Sequence, residues 1–149
     1  MEVSYLYIFI PIFVGGITQV TKFSIYSWKY GLNWSYFFTH GHMPSTHSAF
    51  VTSLIFSTGH LAGYDSAAFL IAFSLGIIII DDALRLRMYL GDQGRYLNML
   101  IENLKMSPNK YPRLKERIGH RSSEVIVGII YGFVLAYFFI FIFETFNWI

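Results

Sequence analysis

Four long apolar stretches dominate the chain, running roughly from Tyr5 to Trp28, Pro44 to Leu61, Ser66 to Leu84 and Ser123 to Phe146. Each is close to the roughly 20 residues that an α-helix needs to cross a bilayer. A backbone in hydrocarbon must satisfy its own hydrogen bonds, so these stretches form helices and not open sheets. The expected fold is all-α: a polytopic membrane helix bundle with about four transmembrane spans. Charged residues make up only 13% of the chain. That is about half the share of a soluble domain, so lipid is the expected solvent. The length of 149 residues fits one domain, 1–149. Met1–Ile10 lacks a basic leader region and carries the acidic Glu2, so the first stretch reads as a retained span. The second stretch is rich in Ser and Thr, which predicts that it faces protein and not lipid. With no cysteine, a disulfide framework and thiolate zinc ligands are excluded.

Four crossings sort the polar segments onto two sides. Segment 29–43, the polar stretch 85–121 and the start of the fourth span share one side. The chain termini and the turn 59–65 share the other. All eleven Lys and Arg fall at the first side, which predicts that this side is cytoplasmic and both termini are extracytoplasmic. Within the polar stretch, Leu86, Leu90, Leu97, Leu100 and Leu104 recur at helical spacing. They predict an amphipathic extension of the third helix or a separate surface helix, broken near Ser107–Pro108–Asn109 and Pro112. Basic loops also follow from insertion and from attraction to anionic headgroups. That account fits Lys22, Arg85 and Arg87 less well, because they sit at or inside span ends.

The same side gathers His40, His42, His47 and His120, with Asp81 and Asp82 ending the third span and Glu124 opening the fourth. Ionisable groups at membrane depth are costly and mark functional positions. His120 and Glu124 are four apart and share a helix face. A carboxylate on one imidazole nitrogen would fix the tautomer and leave the other nucleophilic. Glu124 has a plainer role open to it, complementing the helix dipole. The same face continues through Gly128, Gly132 and Ala136, which predicts a close helix seam, within one chain or between two. Pro44, Ser45 and Thr46 suit a capped helix start, where free N–H groups favour phosphate and His47 can hand a proton to a leaving oxygen. Lys22 and the stretch from Asp82 to Arg87 complete a phosphoryl-transfer inventory.

Several blocks now resemble one family. The run from Gly41 to Ala49, GHMPSTHSA, is similar to a signature of the divergent PAP2 proteins, relatives of type 2 phosphatidic acid phosphatases and vanadium-dependent haloperoxidases. So are Asp82–Arg87 followed by Gly91, Gln93, Leu97 and Asn98, then Gly119–His120 with Glu124, Val125 and Gly128, and Lys22 after Gln19. The resemblance covers nearly the whole chain and implies a PAP2-like core. It implies His120 as a nucleophile forming a phosphohistidine, Glu124 as its orienting carboxylate and His47 as the proton donor. Lys22, Ser45, Thr46, Arg87, Arg113 and Arg117 would hold phosphate, with Asp81, Asp82 and Arg85 as an additional polar site. No metal and no cofactor are implied. The substrate expected is a phospholipid or polyprenyl phosphate or diphosphate, met among membrane lipids, with no nucleic acid; a homo-oligomer is compatible with the pattern. The chain departs from the wider superfamily in two places. Lys22 is followed by Lys29 in place of an Arg-Pro pair, and Leu114 stands where an Arg is usual. Two further readings therefore stand beside the phosphatase. One is a non-catalytic phosphate or headgroup binding or transport protein. The other is a metal site built from His40, His42 and either His47 or Asp82.

Overall fold

A computed structural model of the chain describes residues 6–38, 43–107, 109–116, 118–119 and 121–146. Helix α1 is Leu6–Tyr30, and a short 3-10 turn follows at Trp34–Phe38. Then come α2 (Thr46–Ala62), α3 (Ala67–Asp81), a π-helical turn (Asp82–Leu86), α4 (Arg87–Asn103) and α5 (Ser122–Thr145). There is no strand among the described residues, so the all-α expectation holds. Three helical segments have the length and apolarity of membrane spans: Tyr7–Tyr30, Ala67–Asn103 and Ser122–Thr145. The fourth expected span, α2, has 17 residues, or about 25 Å, and falls just short of that measure.

The shortness of α2 goes with its place. It is the central helix and touches α1, α3 and α5. Buried on it are Ser48, Ser53 and Ser57, as its polar composition led one to expect. Their hydroxyls are satisfied locally: Ser53 donates to Phe50 O at 2.7 Å and Ser57 to Leu54 O at 3.2 Å. Thr18 on α1 does the same to Val14 O at 2.6 Å. Hydroxyls that back-bond to their own helix bring no unpaired donor into an apolar interior. Gly63, at φ +90°, turns the chain out of α2. Ser66 then caps α3 by accepting from Phe69 N–H at 3.1 Å.

The core is narrow. Tyr7, Ile10, Val14, Ala49, Ala136, Ile140 and Phe143 form it, from α1, α2 and α5. Around it the surface is apolar; Ile71, Ile78 and Phe138 are all more than half exposed. A bundle that leaves such residues bare on every side has lipid as its solvent. Helix α3 packs on α2 through small residues: a Cβ on Gly76 would stand 2.5 Å from Ile55 Cδ1.

At the end of the bundle away from the basic residues, α1, α2 and α5 are tied by polar contacts. His60 Nε2 lies 2.7 Å from Glu144 Oε1, and the Tyr7 ring stacks on the imidazole at 5.9 Å. The other end carries the end of α1, the start of α2, the end of α3 and the start of α5, which is the sorting that four crossings require.

Candidate functional site

The start of α2 is the hinge point of the polar end. Ser45 is its N-cap; its Oγ accepts from Ser48 N–H at 3.4 Å and from Ser48 Oγ–H at 3.0 Å. Ser45 N–H donates to Glu124 O at 3.1 Å, so the first turns of α2 and α5 are joined by their backbones. Glycines permit this closeness. A Cβ on Gly128 would stand 2.6 Å from Ser45 O, and one on Gly132 would overlap the backbone of Ala49. Gly128, Gly132 and Ala136 are all buried. The small-residue seam expected from the sequence is therefore real, and it lies within one chain, between α5 and α2.

Thr46 faces the other way, toward α1. Its hydroxyl donates to Gln19 Oε1 at 2.8 Å, and Gln19 Nε2 donates in turn to Phe37 O. The 3-10 turn is thereby fastened above the helix start, with Trp34 stacked on Phe23 at 5.6 Å. Of the first-turn amides of α2, that of Ser48 is used by the cap. Those of Thr46 and His47 stand outside the helix's own ladder, as first-turn donors do.

Lys22 is buried, at 5% exposure, and the Glu124 carboxylate is the charge acting on it. A buried ammonium is tolerable only with such a partner. Glu124 Oε2 also accepts from Arg121 N–H at 3.2 Å, which is the reach-back expected of a glutamate at the third helical position. The cap thus occupies one oxygen of Glu124. The carboxylate also lines a cavity of about 340 Å³ with Tyr26, Lys29, Tyr30, Arg121 and Ser123. Lys29, the departure from the superfamily's Arg-Pro pair, is part of that wall. Sequence reasoning gave Lys29, Arg121 and Tyr26 no place in the site; the one-turn spacing of Lys22, Tyr26 and Lys29 along α1 was the available signal.

His47 opens on a different side. It lines an apolar groove of about 230 Å³ with Thr46, Phe50 and Ile79. Ile79 lies shortly before the π-helical turn, whose charges are paired. Arg87 Nε donates to Asp82 Oδ2 at 2.9 Å, both side chains about two-thirds buried, and Arg85 pairs with Asp81 nearer the surface. Residues five apart lie on different faces of an α-helix, but a π turn brings them nearly in line. The local widening is what allows Asp82 to meet Arg87. The additional polar site expected from Asp81, Asp82 and Arg85 is therefore a set of ion pairs at the end of α3.

Arg113 is engaged elsewhere. It pairs with Glu116 at 2.9 Å and with Glu102 at 3.6 Å. Glu102 is 15 residues along the helix from Arg87, about 22 Å. The segment around it is clamped to α4 by Asn98, whose Nδ2 donates to Leu114 O at 3.0 Å and to Glu116 Oε1 at 2.9 Å. Asn98 Oδ1 accepts from Leu114 N–H at 3.0 Å. The Asn98 amide, followed by the Arg113 guanidinium, holds the Glu116 carboxyl below the usual carboxylate range. Gly91 and Gly94 let the backbone lie close: a Cβ on Gly91 would stand 2.5 Å from Glu116 O. Further along, Gly119 packs on Met88. The clamp was missed by sequence reasoning, although Gly91 and Asn98 belong to the motif blocks.

His120, Arg117, His40 and His42 lie outside the described residues. Among the described residues no three His, Asp or Glu side chains gather as a metal shell would require.

These features define an all-α polytopic membrane protein built round a short central helix whose polar start is locked to the last span. The match is specific: the divergent PAP2 family pattern covers residues 4–135, and the chain belongs to that family. It is also 34% identical over 124 residues to the uncharacterized membrane protein YuiD of Bacillus subtilis (strain 168), across 72% of this chain and 78% of that protein. No solved structure matches significantly.

Proposed function

We propose that this protein is a membrane phosphatase that hydrolyses a lipid phosphate or diphosphate through a phosphohistidine at His120. The observation that carries the reading is the join of Ser45 N–H to Glu124 O. It sets a capped helix start, a carboxylate and the buried Lys22 at one end of the bundle. An apolar tail would stay in lipid while the phosphate meets Lys22, Ser45, Thr46 and first-turn amides. The His120 nitrogen attacks phosphorus, the P–O bond to the lipid breaks, and His47, turned from its own groove toward the helix start, gives its proton to the leaving oxygen. Water then attacks phosphorus, His47 takes the water proton, the P–N bond breaks, and inorganic phosphate leaves. Arg87 contributes once Asp82 releases it to the phosphate. The polar end is taken to be cytoplasmic, because the chain's basic residues lie there.

A second reading is favoured by one observation: Arg87 and Arg113, both assigned to phosphate, are already held by carboxylates. In that reading the pocket binds a phosphate or headgroup without turnover, as a binding or transport protein. Phosphate release from a panel of lipid phosphates by purified protein in excess chelator, beside His120→Ala and His47→Ala, separates the two. Release that depends on both histidines supports the phosphatase. Vanadate or phosphate binding with no release from any lipid supports the second reading.

A further inference from the structure

The segment Ala67–Asn103 is one helical run of 37 residues, about 55 Å long, against a hydrocarbon core of about 30 Å. Helix α4 is the part that outruns the membrane. It has two faces. Gly91, Gly94 and Asn98 are buried under Leu114, Lys115, Glu116 and Ile118. About 110° away round the helix runs a bare line: Leu90, Gln93, Leu97 and Leu100, continued by Leu86 of the π-helical turn and by Leu104 at the C-cap. Its five leucines are 48–58% exposed, and its spacing is four, three, four, three, four without a break.

That spacing is a 3.5-residue repeat with two apolar positions in seven, the pattern of a coiled-coil seam. We propose that α4 pairs in parallel with α4 of a second copy of this chain. Three observations choose that partner over the lipid surface. The line is interrupted at its middle by Gln93, and α4 runs on from α3 as one helical segment, whereas a helix lying on lipid turns into the membrane plane. Such a helix also has a basic polar face, but α4 carries Arg87 and Arg95 against Asp92 and Glu102, which cancel. The positions flanking the line hold Tyr89, Gly94, Tyr96, Ile101, Asn103 and Arg87, and Arg87 is neutralised by Asp82. No like charges would therefore face each other across the seam. Two copies in one membrane present their α4 helices in the same direction, so a two-fold axis along the membrane normal sets each residue opposite itself. Gln93 then meets Gln93, donor to acceptor, and a lone polar pair of this kind fixes register and strand number.

The absence of cysteine makes the test clean, and its readout does not involve turnover. Single substitutions Leu90→Cys, Gln93→Cys, Leu97→Cys and Leu100→Cys, with Asp92→Cys, Arg95→Cys and Met99→Cys off the line, are made in the full chain and oxidised in membranes. Dimer is expected several-fold more from the positions on the line than from those off it. Gln93→Lys, with a reporter cysteine at Leu97, is expected to abolish that dimer while the protein still inserts. Equal yields round the helix would overturn the proposal. Absence of dimer, with labels on the line quenched by brominated lipid, would also overturn it and make α4 an interfacial helix.

Discussion

Glu124 has two oxygens and two duties to fill. One oxygen caps α5 through Arg121 N–H. The proposed mechanism needs the other to orient His120. The substitution Glu124→Gln separates them, because the amide oxygen still accepts from Arg121 N–H but carries no charge. We expect a folded but less stable protein, because the charge beside buried Lys22 is lost, and a rate about 10²–10⁴-fold lower, a smaller loss than for His120→Ala. An unaltered rate would leave Glu124 as a cap alone. Glu116 is the residue whose titration should be visible. Its carboxyl is held below the usual range by Asn98 and Arg113. It thus favours the clamped segment at pH values above the ordinary carboxylate range, and that contribution is lost as pH falls through the lowered folded value. A fluorophore on Lys115→Cys should report release of the segment only at acid pH, below the ordinary carboxylate range. Glu116→Gln should remove the transition; a transition that persists in Glu116→Gln would assign it to another group.

At the scale of elements, the seam between α5 and α2 and the free stretch of α1 make opposite predictions for glycine. Gly132→Val drives a side chain into the Ala49 backbone and should destabilise the bundle by at least about 2 kcal/mol. At Gly16 no atom lies within 4 Å of an added Cβ, so Gly16→Ala should stabilise by about 0.5–1 kcal/mol through helix propensity. Thermal unfolding in detergent reads both. The spans and this seam were legible in the sequence because hydropathy and four-residue spacing are local properties of a helix. The Asn98 clamp was not, because its partners lie 16 and 18 residues away in an irregular segment that no periodicity announces. The Asp82–Arg87 pair was named but its contact was not foreseeable, since only a π turn brings those positions together. Lys29 was read as a departure from a motif, and its place in the cavity wall depends on how α1 is turned against α5. His47 and Glu124 were placed at one end of the bundle by counting crossings. That they line separate spaces required the packing of α3.

For the whole molecule, the bundle is polar at one end and apolar along its length, with α2 shielded from lipid by three neighbours. The basic residues at that end predict its side. A reporter fused after Ile149 should behave as extracytoplasmic, and a cytoplasmic signal there would reverse the topology and the side on which substrate is met. The catalytic claim rests on a bond between phosphorus and His120 nitrogen. A phosphorus–nitrogen link survives alkali and breaks in acid, unlike a phosphate ester. The most direct measurement is therefore rapid quenching of the protein with a lipid phosphate carrying radioactive phosphorus, followed by peptide mapping. The account predicts label that is stable in alkali and lost in acid, on the peptide containing His120, and absent from His120→Ala. Phosphate release with no such label, or label that persists in His120→Ala, would contradict it.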